Sequence, residues 1–271
     1  MRHAQEPDHT DPLPNAGGGD RRNRHAMFQA VIFDLDGTLV DTAPDVHKCA
    51  NLTLQKFGMR TISLEEAKRS IGPGPDNFAR IVLPEDQRHR YNEFIGVFRI
   101  FYDRHCLDST RPFPGVRETL EQLTESAGVP LAVASNKPKV YTMRILEALD
   151  LARFFRVVLG PEDAPRLKPA PDMLLAASAA LGISPSRALM VGDTDNDILA
   201  ARSAGMLVCA VTWGYSTRQE LALHAPDFLI DRPQELLQVC RLVPLSEDDD
   251  REARALSASP EALLPSGKAK G

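Results

Sequence analysis

After residue 112 the chain alternates between two kinds of segment, and this alternation constrains the fold more than any other feature. Short apolar runs rich in β-branched residues are followed by stretches whose apolar residues recur at helical spacing. The predicted strands span 130–134, 156–159, 188–191, 207–212 and 227–230, and the predicted helices span 116–126, 140–149, 172–181, 197–204 and 233–242. Such alternation predicts a mostly parallel sheet covered on both faces, that is, a doubly wound, Rossmann-like α/β core.

A block of purely helical pattern interrupts this order. It spans residues 43–111 and follows a first predicted strand at 30–33. We therefore expect a core built from residues 27–42 and 112–245, with the block 43–111 inserted above the sheet as an α-helical cap domain.

Within the block, helices are predicted at 44–57 and 84–105. Ser63 and Glu66 have the spacing of a capping box, which predicts the start of another helix. The second predicted helix carries a broad apolar stripe that we expect to be core: Tyr91, Phe94, Ile95, Phe98, Phe101 and Tyr102.

The two ends of the chain are polar and lack apolar periodicity. Residues 1–26 have no apolar segment of the kind that a secretory signal needs, and residues 246–271 begin with an acidic run. Both segments are predicted to be disordered tails.

Composition narrows the class of protein. The 271 residues are 43% hydrophobic and 25% charged with a formal net charge of -5, which is typical of a globular domain and disfavours nucleic acid as a partner. No apolar run approaches the ~20 residues of a membrane span, so no membrane partner and a cytoplasmic location are expected. The four cysteines form no paired motif and are expected to be buried thiols.

Carboxylates stand at the end of the first predicted strand. Asp34 and Asp36 follow that strand, Gly37 permits a tight turn, and Thr38 adds a hydroxyl. In an open α/β sheet, ligands bind beyond the carboxyl ends of the strands. Paired carboxylates at that place suit a metal-assisted site with a nucleophilic carboxylate, although an isolated run of this kind is also common in ordinary turns.

Polar residues also follow three later strands. Ser135 and Asn136 come directly after one of them, and Lys168 follows the next, just before a proline-led helix start. Asp193 and Asp197 lie four residues apart at a further strand-to-helix turn, where they suit a hard cation such as Mg²⁺. Taken singly, each signal has a structural alternative: a helix N-cap, a solvated surface lysine, or an acidic helix start.

In this order and context, the four runs resemble the four motifs of the haloacid dehalogenase-like hydrolase superfamily in its phosphatase form. The resemblance covers roughly residues 28–242. Three segments, 112–116, 135–138 and 192–201, are similar to its phosphoglycolate phosphatase branch, and the loop 71–74 resembles that branch's cap loop apart from the prolines beside it. The resemblance implies a Mg²⁺-dependent phosphatase that acts on a small phosphorylated metabolite, 2-phosphoglycolate first among them.

The resemblance also implies a role for each side chain. Asp34 is expected to be the nucleophile that forms an aspartyl-phosphate, and Asp36 the general acid and base. Lys168 is expected to neutralise the phosphoryl group and the nucleophile. Mg²⁺ is expected to bind Asp34, Asp193 and the backbone carbonyl of Asp36, with Asp197 orienting the metal shell or Lys168.

Contacts to the substrate are expected from four further residues. Thr38, Ser135 and Asn136 are predicted to bind the transferring phosphoryl group. Arg69 is a candidate for pairing with a substrate carboxylate, with a solvated surface arginine as the alternative. The motif residues are expected to contact only the phosphoryl group, which every candidate substrate shares. We therefore expect the cap, and its loop 69–77 in particular, to determine which phosphate ester is the substrate.

Alternatives remain open at this point. A pyrophosphatase, a sugar-phosphate phosphatase or a β-phosphoglucomutase-like phosphomutase would keep the same motifs, and a degenerate scaffold without activity is the non-enzyme alternative. Dehalogenases and phosphonate-cleaving members lack the second aspartate, so Asp36 argues against both. The sequence gives no indication of the oligomeric state.

Overall fold

The computed structural model describes residues 28–126 and 128–240, which form a six-stranded sheet with flanking helices and a separate helical cluster. The predicted tails, 1–26 and 246–271, lie outside the described residues. No helix in the described ranges combines the length and the apolar character that crossing a membrane requires.

The strands form a parallel sheet and a short ribbon. In chain order they are β1 (Ala30–Phe33), β2 (Val40–Asp41), β3 (Arg111–Pro112), β4 (Leu131–Ala134), β5 (Phe155–Leu159), β6 (Ala188–Gly192), β7 (Leu207–Val211) and β8 (Phe228–Ile230). The sheet has the order β5-β4-β1-β6-β7-β8, and every neighbouring pair in it is parallel. The central strands are buried along their whole length, as expected where helices cover both faces. The predicted doubly wound α/β fold is confirmed.

Ten α-helices are present in the described residues. They are α1 (Ala43–Lys56), α2 (Leu64–Ser70), α3 (Pro75–Val82), α4 (Tyr91–His105), α5 (Val116–Glu121), α6 (Lys139–Ala148), α7 (Asp172–Leu181), α8 (Asp195–Ser203), α9 (Arg218–Leu223) and α10 (Glu235–Val239). The predicted capping box precedes α2: Glu66 N–H donates to Ser63 Oγ (3.2 Å), and Ser63 N–H donates to Glu66 Oε2 (2.7 Å).

The core has two layers, one on each face of the sheet. Val31 and Phe33 of β1 pack with one layer, and Ala30 and Ile32 pack with the other, because successive strand residues point to opposite faces. All four cysteines are buried, as predicted.

Helices α1 to α4 enclose a third apolar cluster, which Tyr141 of α6 joins from the core. Phe94 is fully buried at its centre, where its ring packs edge-on against Phe57 with the ring centres 5.9 Å apart. The helices of the predicted cap therefore share a core distinct from the two layers on the sheet, and the exact domain boundaries stay a prediction.

Two predicted helices differ from the structure. The segment 84–105 is not one helix: Glu85–Arg90 is a 3₁₀-helix, and α4 begins only at Tyr91. No residue of the 3₁₀ segment is buried, so tertiary packing does not hold it in an α-helix. The predicted helix 116–126 becomes a π-helix at Gln122–Ser126, where the Thr124 hydroxyl donates to Leu120 O (2.8 Å).

A ribbon that the sequence analysis missed lies where the chain enters and leaves the helical cluster. Strands β2 and β3 pair antiparallel there. Nearby, the fully buried Asp45 carboxylate accepts hydrogen bonds from Ser109 N–H (2.9 Å), Thr110 N–H (2.8 Å) and the Thr110 hydroxyl (2.8 Å). The two connections between sheet and cap are therefore tied to each other.

Candidate active site

Three aspartates meet at the carboxyl edge of the sheet. Because Phe33 of β1 lies opposite Val191 of β6, both strands end at the same level, and Asp34 N–H donates to Val191 O (2.9 Å). One carboxylate oxygen each from Asp34, Asp193 and Asp197 lies within 4.8 Å of the others, and all three residues are buried.

Lys168 is the cation inside this cluster. Its Nζ lies 2.9 Å from Asp34 Oδ1 and 2.7 Å from Asp197 Oδ1, and only 2% of its side chain is exposed. Burial alone would lower the pKa of Lys168, but Asp197 and Asp34 together raise it, so the ammonium stays charged. Asp197 also accepts hydrogen bonds from the backbone (3.1 Å) and hydroxyl (2.8 Å) of Thr194 at the start of α8.

Asp193 is held by the turn that follows β1. The Thr38 hydroxyl donates to its Oδ1 (2.9 Å), and Tyr215 N–H donates to its Oδ2 (2.8 Å). Gly37, at φ +80°, passes so close that a Cβ there would lie 2.2 Å from Asp193 Oδ2. Thr38 thus positions an acidic residue, and its predicted contact with substrate stays a prediction.

The charge of the cluster suits a divalent cation. Burial raises the pKa of Asp34 to about 6 against the opposing effect of Lys168, and burial raises the pKa of Asp193 well above its ordinary value. Asp34 Oδ1 is buried, and apart from its ion pair with Lys168 it has no hydrogen-bond partner among the described residues. Three buried carboxylates face one ammonium, and carboxylate oxygens are the ligands that Mg²⁺ prefers. The residues fit the predicted metal.

Asp36 lies in a second network beside the first. Both of its oxygens lie 3.0 Å from Lys137 Nζ, and the Thr42 hydroxyl donates to its Oδ1 (2.5 Å). The Lys137 side chain is 8% exposed. Burial alone would lower the pKa of Lys137, but Asp36 contributes most to raising it. The Tyr215 hydroxyl accepts from Thr42 N–H (2.8 Å) and donates to Asp41 (3.1 Å), which extends the network.

Ser135 and Asn136 follow β4 and are both buried. Ser135 Oγ accepts from Lys137 N–H (3.3 Å). The Asn136 amide donates to Gly72 O and to Lys168 O, and its Oδ1 accepts from Lys168 N–H, all at 2.9 Å. Asn136 therefore joins the cap loop to the loop of Lys168. The predicted phosphoryl contacts of Ser135 and Asn136 stay predictions.

A cavity of about 90 Å³ opens over Asp34 and Asp36. Ser135 and Lys137 line its base, and side chains of the cap form its apolar walls. These wall residues include Val46, Ile71, Phe78, Ile95 and Phe98. The cavity therefore combines a charged base with apolar walls.

A family model described as haloacid dehalogenase-like hydrolase matches residues 31–211, which is more than half of the chain and contains every motif of the cluster. The chain is a haloacid dehalogenase-like hydrolase.

Several relatives of this hydrolase are named phosphoglycolate phosphatases. Phosphoglycolate phosphatase 1 of Pseudomonas aeruginosa is 36% identical over 214 residues, which cover 76% of this chain and 78% of that protein. Phosphoglycolate phosphatase of Aquifex aeolicus is 36% identical over 212 residues, 78% of this chain and 96% of that one. The solved structure of a predicted phosphoglycolate phosphatase from Haemophilus somnus 129PT has 32% identity and a TM-score of 0.73, and it covers 79% of this chain and 98% of that one. The predicted family, its branch and its class of enzyme, a phosphatase, are confirmed.

One predicted site residue lies elsewhere in the hydrolase. Arg69 is exposed and borders a separate cleft that Thr194, Tyr215 and Glu220 also line, rather than the cavity over Asp34. Its neighbour Ser70 lines the cavity instead, because adjacent residues of a helix point about 100° apart. The structure does not bring Arg69 to the site.

Sequence reasoning also missed Lys137 and Tyr215. Lys137 stands two residues after Ser135 at the end of a predicted strand, and that position was a signal for it. Tyr215 follows β7 by four residues, and only the folded chain brings its backbone to Asp193.

Proposed function

We propose that this phosphatase is Mg²⁺-dependent and hydrolyses 2-phosphoglycolate to glycolate and phosphate through an aspartyl-phosphate on Asp34. The observation that carries the proposal is the Asp34 carboxylate beside Lys168 in a buried acidic cluster, directly beneath a small cavity. The names of the relatives support the choice of substrate.

Asp34, Asp193 and the backbone carbonyl of Asp36 would hold the metal, with Asp197 beside them. When bound, Mg²⁺ supplies positive charge that reduces the repulsion between an anionic nucleophile and phosphate oxygens. Lys168, already 2.9 Å from Asp34 Oδ1, would share that charge with the phosphoryl oxygens, as Ser135 and Thr38 would through hydrogen bonds.

Asp34 Oδ would attack phosphorus as the bond to the leaving oxygen breaks, and the carboxyl of Asp36 would give its proton to the leaving alkoxide. In the second step, Asp36 would take a proton from water as that water attacks the phosphorus of the aspartyl-phosphate, which releases phosphate and restores Asp34. The contacts of Asp36 with Lys137 and Thr42 fix the carboxylate for both transfers.

The size of the cavity favours a small leaving group. Its volume of about 90 Å³ admits only a few water-sized groups, and the Asn136 contact with the cap loop closes one side of it. A two-carbon hydroxy acid fits this space better than a hexose.

The test is a panel of phosphate esters assayed for free phosphate at saturating Mg²⁺ and with EDTA. We expect the highest kcat/KM for 2-phosphoglycolate and no turnover with EDTA. Pyrophosphate or a sugar phosphate as the best substrate would overturn the choice of substrate. Isomerisation of glucose 1-phosphate without phosphate release would make the chain a mutase, and full activity in EDTA would refute the metal.

A further inference from the structure

The charged side chains that line the cavity are not equally neutralised. Asp36 pairs with Lys137, and Asp34 lies against Lys168. Arg99 of α4 is the remaining charge; it is exposed, and it makes no ion pair or hydrogen bond with any side chain that the structure describes. An exposed guanidinium that lines the cavity and is not held by a described carboxylate is placed to pair with an anion of the substrate.

Tyr102 supplies a second unsatisfied group on the same wall. The residue is 2% exposed, it lines the cavity, and its hydroxyl has no hydrogen-bond partner among the described residues. Lys137 Nζ lies 5.1 Å from the centre of its ring, and it is also close enough to the hydroxyl to lower the pKa of Tyr102 against the larger, raising effect of burial. A buried hydroxyl that makes no hydrogen bond and lines a cavity is placed to bond a group that arrives with the ligand.

The two side chains are spaced to act together. Arg99 and Tyr102 are three residues apart on α4, so they lie on one face of the helix with Cβ atoms about 5–6 Å apart. A guanidinium and a hydroxyl at that spacing can both reach the two oxygens of one small carboxylate. The phosphate end of the cavity, at Asp34 and Ser135, lies on the opposite, core side.

We propose that Arg99 and Tyr102 bind the carboxylate of the leaving group and thereby select phosphate esters of short hydroxy acids. This inference rests on the proposed function, since it assumes that the phosphoryl group sits at Asp34. Arg99 thus takes the role that the sequence suggested for Arg69.

The experiment compares two substrates of similar size, 2-phosphoglycolate and ethyl phosphate, whose two-carbon group carries no charge, with pyrophosphate as a third. Arg99→Gln should lower kcat/KM for 2-phosphoglycolate by about ten- to a hundredfold, mainly through KM, and change ethyl phosphate by less than about twofold. Tyr102→Phe should lower the first value by about two- to tenfold. Arg104→Gln removes the same charge from an exposed position of the same helix outside the cavity, and should change neither substrate.

The outcomes separate this inference from the function on which it rests. If the wild-type enzyme does not prefer 2-phosphoglycolate to ethyl phosphate, both fail. If it does, but Arg99→Gln slows the two esters equally or leaves both unchanged, only the inference is overturned. If Arg99→Gln reduces pyrophosphate hydrolysis as much as 2-phosphoglycolate hydrolysis, Arg99 selects any anion, and the assignment to a carboxylate is wrong. Unchanged melting temperatures confirm that the variants fold.

Discussion

The two sides of the cavity hold their polar groups in different ways. On the core side, Asp34, Asp36 and Lys168 are buried, and each charge lies within 3.0 Å of an opposite charge. On the cap side the walls are apolar, and the charged group, Arg99, is exposed and makes no ion pair with any side chain that the structure describes.

The difference indicates that the core side serves catalysis and the cap side serves substrate recognition. Groups that are held on several sides before substrate arrives are suited to stabilising a transition state, because they need no rearrangement during reaction. A cation at the open cap side is suited to recognising the part of the substrate that differs from one ester to another. Changes on the core side should therefore affect all substrates, and changes on the cap side should affect them selectively.

The largest effect is expected on the core side at Asp34. Asp34→Asn keeps the shape of the side chain but removes the nucleophilic charge, so kcat should fall by about four orders of magnitude on every ester. Phosphate release at saturating substrate measures it. Residual activity above about one part in a hundred would contradict covalent catalysis by this residue.

Lys137→Met should lower both the free energy of unfolding and kcat. It leaves the Asp36 carboxylate buried without its cation, and breaking such a pair lowers the free energy of unfolding by about 3–5 kcal/mol. Denaturant titration and kcat on two esters measure the change. The matched control is Lys139→Met, whose surface pair with Asp163 contributes about 0–1 kcal/mol. Equal losses in the two variants would show that the buried pair has no special role.

Asp193→Asn should act on the metal before it acts on the chemistry. The Mg²⁺ concentration at half-maximal rate should rise at least about tenfold. Substitution of a residue that only hydrogen-bonds a metal ligand already lowers metal affinity by about that factor. A Mg²⁺ titration of the rate measures this, with Asp195→Asn, an exposed acid in the same turn, as the control. A lower kcat at an unchanged Mg²⁺ requirement would remove Asp193 from the metal site.

The smallest effect is expected at Arg69. It borders another cleft, so Arg69→Gln should leave kcat/KM for 2-phosphoglycolate and ethyl phosphate within about twofold of wild type. Paired kinetics with Arg99→Gln measure the contrast between the two arginines. A selective loss on 2-phosphoglycolate in Arg69→Gln alone would reverse our assignment of the cap side.

The core side was largely predictable from the sequence. Buried parallel strands give apolar runs, and polar residues directly after such runs must lie at the ligand-binding edge of the sheet. That reasoning brings Asp34, Asp36, Asp193 and Asp197 to one edge without any knowledge of loop conformations. The ribbon β2–β3 escaped prediction because two residues per strand carry no periodicity.

The cap side was not predictable in the same way. The stripe on α4 was predicted to be core, and Phe94 is indeed fully buried, yet Phe98 and Tyr102 of that stripe also line the cavity. Which face of a cap helix meets the substrate depends on how the cap lies on the sheet. Arg69 and Arg99 are therefore equivalent candidates in the sequence, and only the folded chain distinguishes them.

The most direct test of the central claim is to trap the phosphoryl group on Asp34. Asp36→Asn should still accept it from an aryl phosphate, whose leaving group needs no proton, but should release it slowly for want of a base. We predict a burst of one phenol per enzyme, a mass increase of one phosphoryl group, and its location on the peptide that contains Asp34. A label on another peptide, or steady turnover of Asp36→Asn without burst or label, would contradict the account.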